Sequence, residues 1–129
     1  MTQHIAQLTY LVRDYNEATA YFTQMLGFAL AEDTDMGGGK RWVLVSPPGG
    51  ETRLLLAKAA TPEQAAHIGN QGGRRVFLFL HTDDFVRDYA LYKQRGVRFI
   101  EEPRHEAYGT VVVFEDLYGN RWDLVEPKP

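Results

Sequence analysis

At 129 residues the chain can bury the core of one domain, or a core shared by two half-size modules. Cysteine is absent, which excludes a disulfide framework, a thiolate metal site and a cysteine nucleophile. The formal charge of −3, with Lys and Arg dispersed, excludes the basic surface that a nucleic-acid partner needs.

The chain opens MTQHIAQLTY, without a basic n-region, and no apolar stretch is long enough to cross a bilayer. The expectation is a soluble cytoplasmic protein with no signal peptide and no membrane partner. Ile5 to Val12 alternates and reads as a strand. Asp14 precedes a helical pattern and Glu17 follows at capping-box spacing. Ala18, Tyr21, Phe22, Met25 and Leu26 give that helix one apolar face, and Gly27 is placed to end it in a left-handed conformation. Strands are expected over Phe28–Glu32, Arg41–Val45 and Thr52–Ala57, with a glycine-rich turn at Met36–Gly39. Thr61, Pro62 and Gln64 predict a short connector helix to about Ile68, and Gly69–Gly73 reads as a loop without a phosphate-binding pattern.

The order then repeats. Val76–Thr82 is a strand, Asp83 or Asp84 caps a helix that ends at Gly96, and Val97–Glu102 is a strand stopped by Pro103. Asp14 to Asp83 and Gly27 to Gly96 are both 69 residues apart. Thr110–Phe114 and Arg121–Glu126, joined by Leu117-Tyr-Gly-Asn120, form a terminal hairpin. In its second strand Trp122 and Leu124 share one face, and Arg121, Asp123 and Val125 share the other. A central acid opposite the core suits the floor of a cleft, although alternation alone favours a solvated sheet face.

A turn such as Asp116-Leu-Tyr-Gly-Asn120, followed by an alternating strand with a central acid, resembles the end of a domain of the vicinal oxygen chelate superfamily. That superfamily includes glyoxalase I, extradiol dioxygenases, fosfomycin-resistance enzymes and bleomycin-resistance proteins. The resemblance implies an α+β fold in which two tandem βαβββ modules curve mixed sheets around a cavity. The modules would be about 1–58 and 75–129 of a single domain, with a connector at about 59–74. It also implies a homodimer.

On that resemblance Gln7, Thr9 and Arg53 face the cavity from the first module. Phe77, Phe79, His81, Arg121 and Asp123 face it from the second, with Tyr108 at its mouth. The family's four metal-ligand positions fall on Gln7, Leu55, Phe77 and Asp123. Leu and Phe cannot ligate, and an amide with one carboxylate makes a poor transition-metal site. His81, four residues beyond Phe77, lies about 13 Å along the strand from it, too far to replace a ligand. It reads as a hydrogen-bonding residue near the strand end, with substrate contact or base work as the alternative. His4, His67 and His105 read as solvated, and Trp42 and Trp122 as core. Arg53 and Arg121 either bind an anionic group or pair with Asp123 and nearby acids.

The function expected is therefore binding of a small organic molecule in the sheet cavity, with no metal and no other cofactor. Two alternatives stay open. One is a metal-dependent lyase, isomerase or dioxygenase, with Gln7 and Asp123 as residual ligands. The other is a metal-independent enzyme using His81, Asp123 or Tyr108.

Overall fold

The computed structural model describes residues 1–129, which form two compact units, Met1–Ile68 and Gly69–Pro129. In the first unit, strand β1 (Gln7–Val12) leads into helix α1 (Tyr15–Ala20). The Asp14 carboxylate accepts from the Glu17 amide at 2.8 Å and so caps α1. The Glu17 side chain pairs with Arg13 at 2.7 Å. Beyond Ala20 the helix widens into a π turn, Tyr21–Met25, closed by Leu26 N–H donating to the Tyr21 carbonyl at 3.3 Å. Both Tyr21 and Phe22 are buried in that turn, and Phe22 packs edge-on against Tyr10 at 5.3 Å. Gly27 then reverses the chain with φ 73°, the left-handed conformation its position predicted.

The first sheet adds β2 (Ala29–Gly37), β3 (Lys40–Ser46) and β4 (Arg53–Lys58) in the order β1-β4-β3-β2, with β1 parallel to β4. β2 runs well past the expected end at Glu32, because the chain turns only at Gly38 and Gly39, where φ is 63° and 83°. Arg41 reaches back across this longer hairpin to Asp33 at 2.6 Å, and that partner holds the Asp33 carboxyl below the usual carboxylate range. Helix α2 (Pro62–Ala66) is capped by Thr61, which accepts from Gln64 N–H at 3.1 Å.

In the second unit, β5 (Val76–His81) is followed by α3 (Phe85–Arg95). Asp84 rather than Asp83 is the cap, accepting from Arg87 N–H at 3.1 Å, and Gly96 ends the helix at φ 88°. The strand expected over Val97–Glu102 is only the short β6 (Arg98–Phe99), and a further short strand, β7 (Arg104–Glu106), follows Pro103. Both pair with β8 (Gly109–Glu115). Pro103 has no amide to donate, and in the gap the Glu101 carboxylate takes the Val113 amide at 3.0 Å. β9 (Arg121–Pro127) completes the sheet in the order β5-β9-β8-β6, parallel to β5. Phe114 stacks on Trp122 at 5.7 Å, and Tyr92 meets Phe114 at 5.8 Å, forming the core under α3.

Candidate functional site

In the first unit the alternation of β1 buries Tyr10 and Val12 and leaves Gln7, Thr9 and Leu11 on the other face. Register places Gln7 beside Arg53, Thr9 beside Leu55, and Leu55 beside Leu44. Trp42 lies two residues from Leu44 on that same face and is half-buried. A pocket of about 570 Å³ opens there, with Thr9, Trp42, Leu55, Ala57, Lys58 and Gln64 among its lining. That volume suits a drug-sized organic ligand. Trp42 is therefore a pocket residue and not simply core, as its sequence context suggested. Arg53 is exposed and has no ion pair.

In the second unit the face of β9 opposite Trp122 and Leu124 carries Arg121, Asp123 and Val125, as its alternation predicted. Phe79 lies beside Asp123 and His81 beside Val125. Phe77 does not join them. A bulge between Val76 and Leu78 takes it out of the ladder and sets it against Gly72. Phe79 is 64% exposed, a large apolar ring presented on a sheet face. His81 is exposed, and its side chain makes no hydrogen bond. The role expected of it at the strand end is filled by Thr82, which donates to Asp88 and accepts from Asp84 N–H at 3.0 Å. Tyr108 is exposed. His4, His67 and His105 are exposed as well.

Asp123 is not solvated. It is only 8% exposed, and its Oδ1 has no hydrogen-bond partner. Burial raises its pKa; the positive charge of Arg104 opposes the rise, and Glu101 adds to it. Arg104 is itself held by Glu101 at 3.0 Å and Glu106 at 2.9 Å. Because the folded pKa lies above the ordinary 3.8, the folded state keeps this proton to higher pH than the unfolded chain. The group's contribution to stability is full below 3.8 and is lost as pH rises through the raised value. Asp123→Asn should therefore be more stable than the wild type at pH 7, by about 1 kcal/mol. The gap in urea midpoint should close as the pH falls below 3.8. A variant less stable at pH 7, or a gap indifferent to pH, would refute this account of Asp123.

These residues do not fit the divalent metal of the resembled superfamily. Leu55 and Phe77 offer no donor atom, and no group of three or more His, Cys, Asp or Glu side chains is placed so that it could hold a metal ion.

Beyond Trp42, sequence reasoning missed Arg74 and Arg75, which stand with Arg121 around a small polar cavity in the second unit. Their one signal was two adjacent cations directly after a glycine-rich loop.

Comparison with known proteins agrees with this architecture. Residues 4–124 match the Glyoxalase/Bleomycin resistance protein/Dioxygenase superfamily. An uncharacterized protein of Shewanella frigidimarina is 52% identical over 128 residues, covering 98% of this chain and 95% of that protein. YetH of Bacillus subtilis is 30% identical, covering 98% of this chain and all of that protein (100%). Among solved structures, UcmS2 superimposes with a TM-score of 0.83 at 30% identity, over 98% of this chain and 99% of that one. TnmS3, an antibiotic binding protein from Streptomyces sp. CB03234, superimposes with a TM-score of 0.78 at 28% identity, over 98% of each chain. With a strand, a helix and then further strands in each unit, the acid-bearing last strand and a match over nearly its whole length, the chain belongs to the glyoxalase/bleomycin resistance protein/dioxygenase superfamily.

Proposed function

We propose that this protein binds a small organic molecule of antibiotic size, without a metal and as a homodimer. The observation that carries the reading is the 570 Å³ pocket with Trp42, Leu55 and Ala57 in its wall. An apolar, aromatic wall with a few polar groups at the rim is how proteins hold drug-sized ligands. The likeness to an antibiotic binding protein supports the same class of ligand. Metal independence rests on the donor set: Gln7 and Asp123 bring one neutral oxygen and one carboxylate to positions where a working site needs three or four ligands. Dimerisation rests on exposed apolar surface, with Leu30 and Met36 on the open β2 edge and Phe79 on the second sheet.

One experiment reads all three parts. Native mass spectrometry of protein purified without chelator should show two chains, no transition metal, and one-to-one adducts with aromatic compounds from an antibiotic library. The same compounds should quench Trp42 fluorescence, and Leu55→Arg, which fills the pocket, should abolish both signals. Tightly held metal at one per chain would overturn metal independence, and a monomer at micromolar concentration would overturn the dimer. Adducts that survive Leu55→Arg would move the binding site elsewhere.

A further inference from the structure

A second cavity lies wholly within the Gly69–Pro129 unit. It measures about 190 Å³, and its lining includes Asn70, Arg74, Arg75, Glu115, Asn120 and Arg121. At about 30 Å³ per water molecule, this is room for a small oxyanion and part of its hydration shell. The charge there runs against the rest of the chain. The protein as a whole carries −3, yet the lining of this cavity includes three arginines and one glutamate. Glu115 cannot neutralise them. It is shared between Arg98 at 3.3 Å and Arg121 at 3.8 Å, and neither Arg74 nor Arg75 has an acidic partner.

The loop that carries these arginines is built and held. Gly69 sits at φ 80° against the Tyr118 carbonyl, and the Gln71 amide donates to Asn120 Oδ1 at 3.1 Å. Two further turns close it, Gly73 N–H to the Asn70 carbonyl at 3.3 Å and Arg75 N–H to the Gly72 carbonyl at 3.2 Å. Arg121 Nη1 donates to the Arg74 carbonyl at 3.3 Å, which aims the third guanidinium at the same place. Arg74 is the chain's non-glycine residue at positive φ, 73°. A β-carbon in that conformation costs about 1 kcal/mol or more, so a glycine there would be the more stable choice. Keeping an arginine at that cost makes sense if its guanidinium is used.

We propose that Arg74, Arg75 and Arg121 form an anion site that takes a phosphate or carboxylate group. This site is separate from the pocket over Trp42, and it stands or falls independently of the function proposed for that pocket. Planar guanidinium groups bind both oxyanions through paired N–H···O bonds, so the shared chemistry is a tetrahedral or planar oxyanion.

The test is isothermal titration of the full chain with inorganic phosphate and, in a second arm, with acetate. Ionic strength is held constant with chloride. Saturable one-to-one binding is expected for at least one anion, with Kd on the order of 1 mM. The arm that saturates at the lower concentration identifies the preferred group. Arg75→Gln and Arg74→Gly should each weaken it roughly tenfold, the loss of one charge-assisted hydrogen-bond pair. Lys128→Gln, which removes the same charge outside the cavity, should change nothing. Arg74→Gly keeps the test valid, because relief of the positive φ should leave its melting temperature equal to or above the wild type. Failure of both anions to saturate, or an equal loss in Lys128→Gln, overturns the site.

Discussion

Asp116→Ala should cost the second unit about 3–5 kcal/mol, enough to leave it largely unfolded at room temperature. Asp116 is 2% exposed, and both of its carboxylate oxygens are committed. Oδ1 accepts from the backbone amides of Tyr118, Gly119 and Asn120 at 3.0, 3.1 and 3.1 Å. Oδ2 accepts from the Trp122 indole at 2.8 Å. Alanine would strand the Asn120 amide and the indole N–H out of water, and an unpaired buried donor costs about 1–3 kcal/mol each. Asp116→Asn should fall in between, since its amide oxygen can replace only one of the two acceptors and its NH₂ would face a donor with a donor. Urea denaturation followed by Trp fluorescence measures both variants. An Asp116→Ala midpoint within about 1 kcal/mol of the wild type would show that water fills the role of the carboxylate.

Gly69→Ala should be nearly as damaging, at about 2–4 kcal/mol, and through the same turn. Gly69 sits at φ 80°, and a β-carbon there would collide with the Tyr118 carbonyl oxygen. That oxygen cannot step aside cheaply, because the amides on both sides of it are pinned by Asp116. Gly73, at φ 63° with open space around it, is the control: Gly73→Ala should lose only the conformational cost of about 1 kcal/mol. If the two glycine variants melt together, the contact with Tyr118 carries no weight. Gly69→Ala also loosens the loop bearing Arg74 and Arg75, so its anion affinity should fall along with its stability.

Much of the fold was legible because helix ends carry local chemistry. Asp14, Thr61 and Gly27 each did in the structure what a residue of that type does in isolation, and the pair of end signals recurs, one residue closer together, at Asp84 and Gly96. Alternation likewise assigned the two faces of β1 and β9. What stayed hidden depended on partners distant in sequence. Nothing in Val76-Phe-Leu announces a bulge, because a bulge is a mismatch with β9 and not a property of β5. That the expected strand at Val97–Glu102 shrinks to Arg98–Phe99 required knowing that the Glu101 side chain would take the Val113 amide. Alternation set Asp123 on the face opposite Trp122, but it does not report what covers that face, so a buried carboxyl looked the same as a solvated one. Trp42 shows the converse: a large aromatic reads as core until its neighbours, Leu55 and Thr9, are seen to leave space beside it.

The parallel pairing of β5 with β9 bears on how the protein is made. β9 is the inner strand between β5 and β8, so until it emerges from the ribosome β5 has no neighbour and the second sheet has no interior. The first sheet is closed in the same way by β4 beside β1, but far earlier in synthesis. A nascent chain therefore passes through a period with one finished sheet and one open one, in which the apolar strand Val-Phe-Leu-Phe-Leu of β5 waits unpaired. Slow codons placed between β8 and β9 would prolong that exposure and should lower soluble yield, whereas the same codons between β4 and β5 would not.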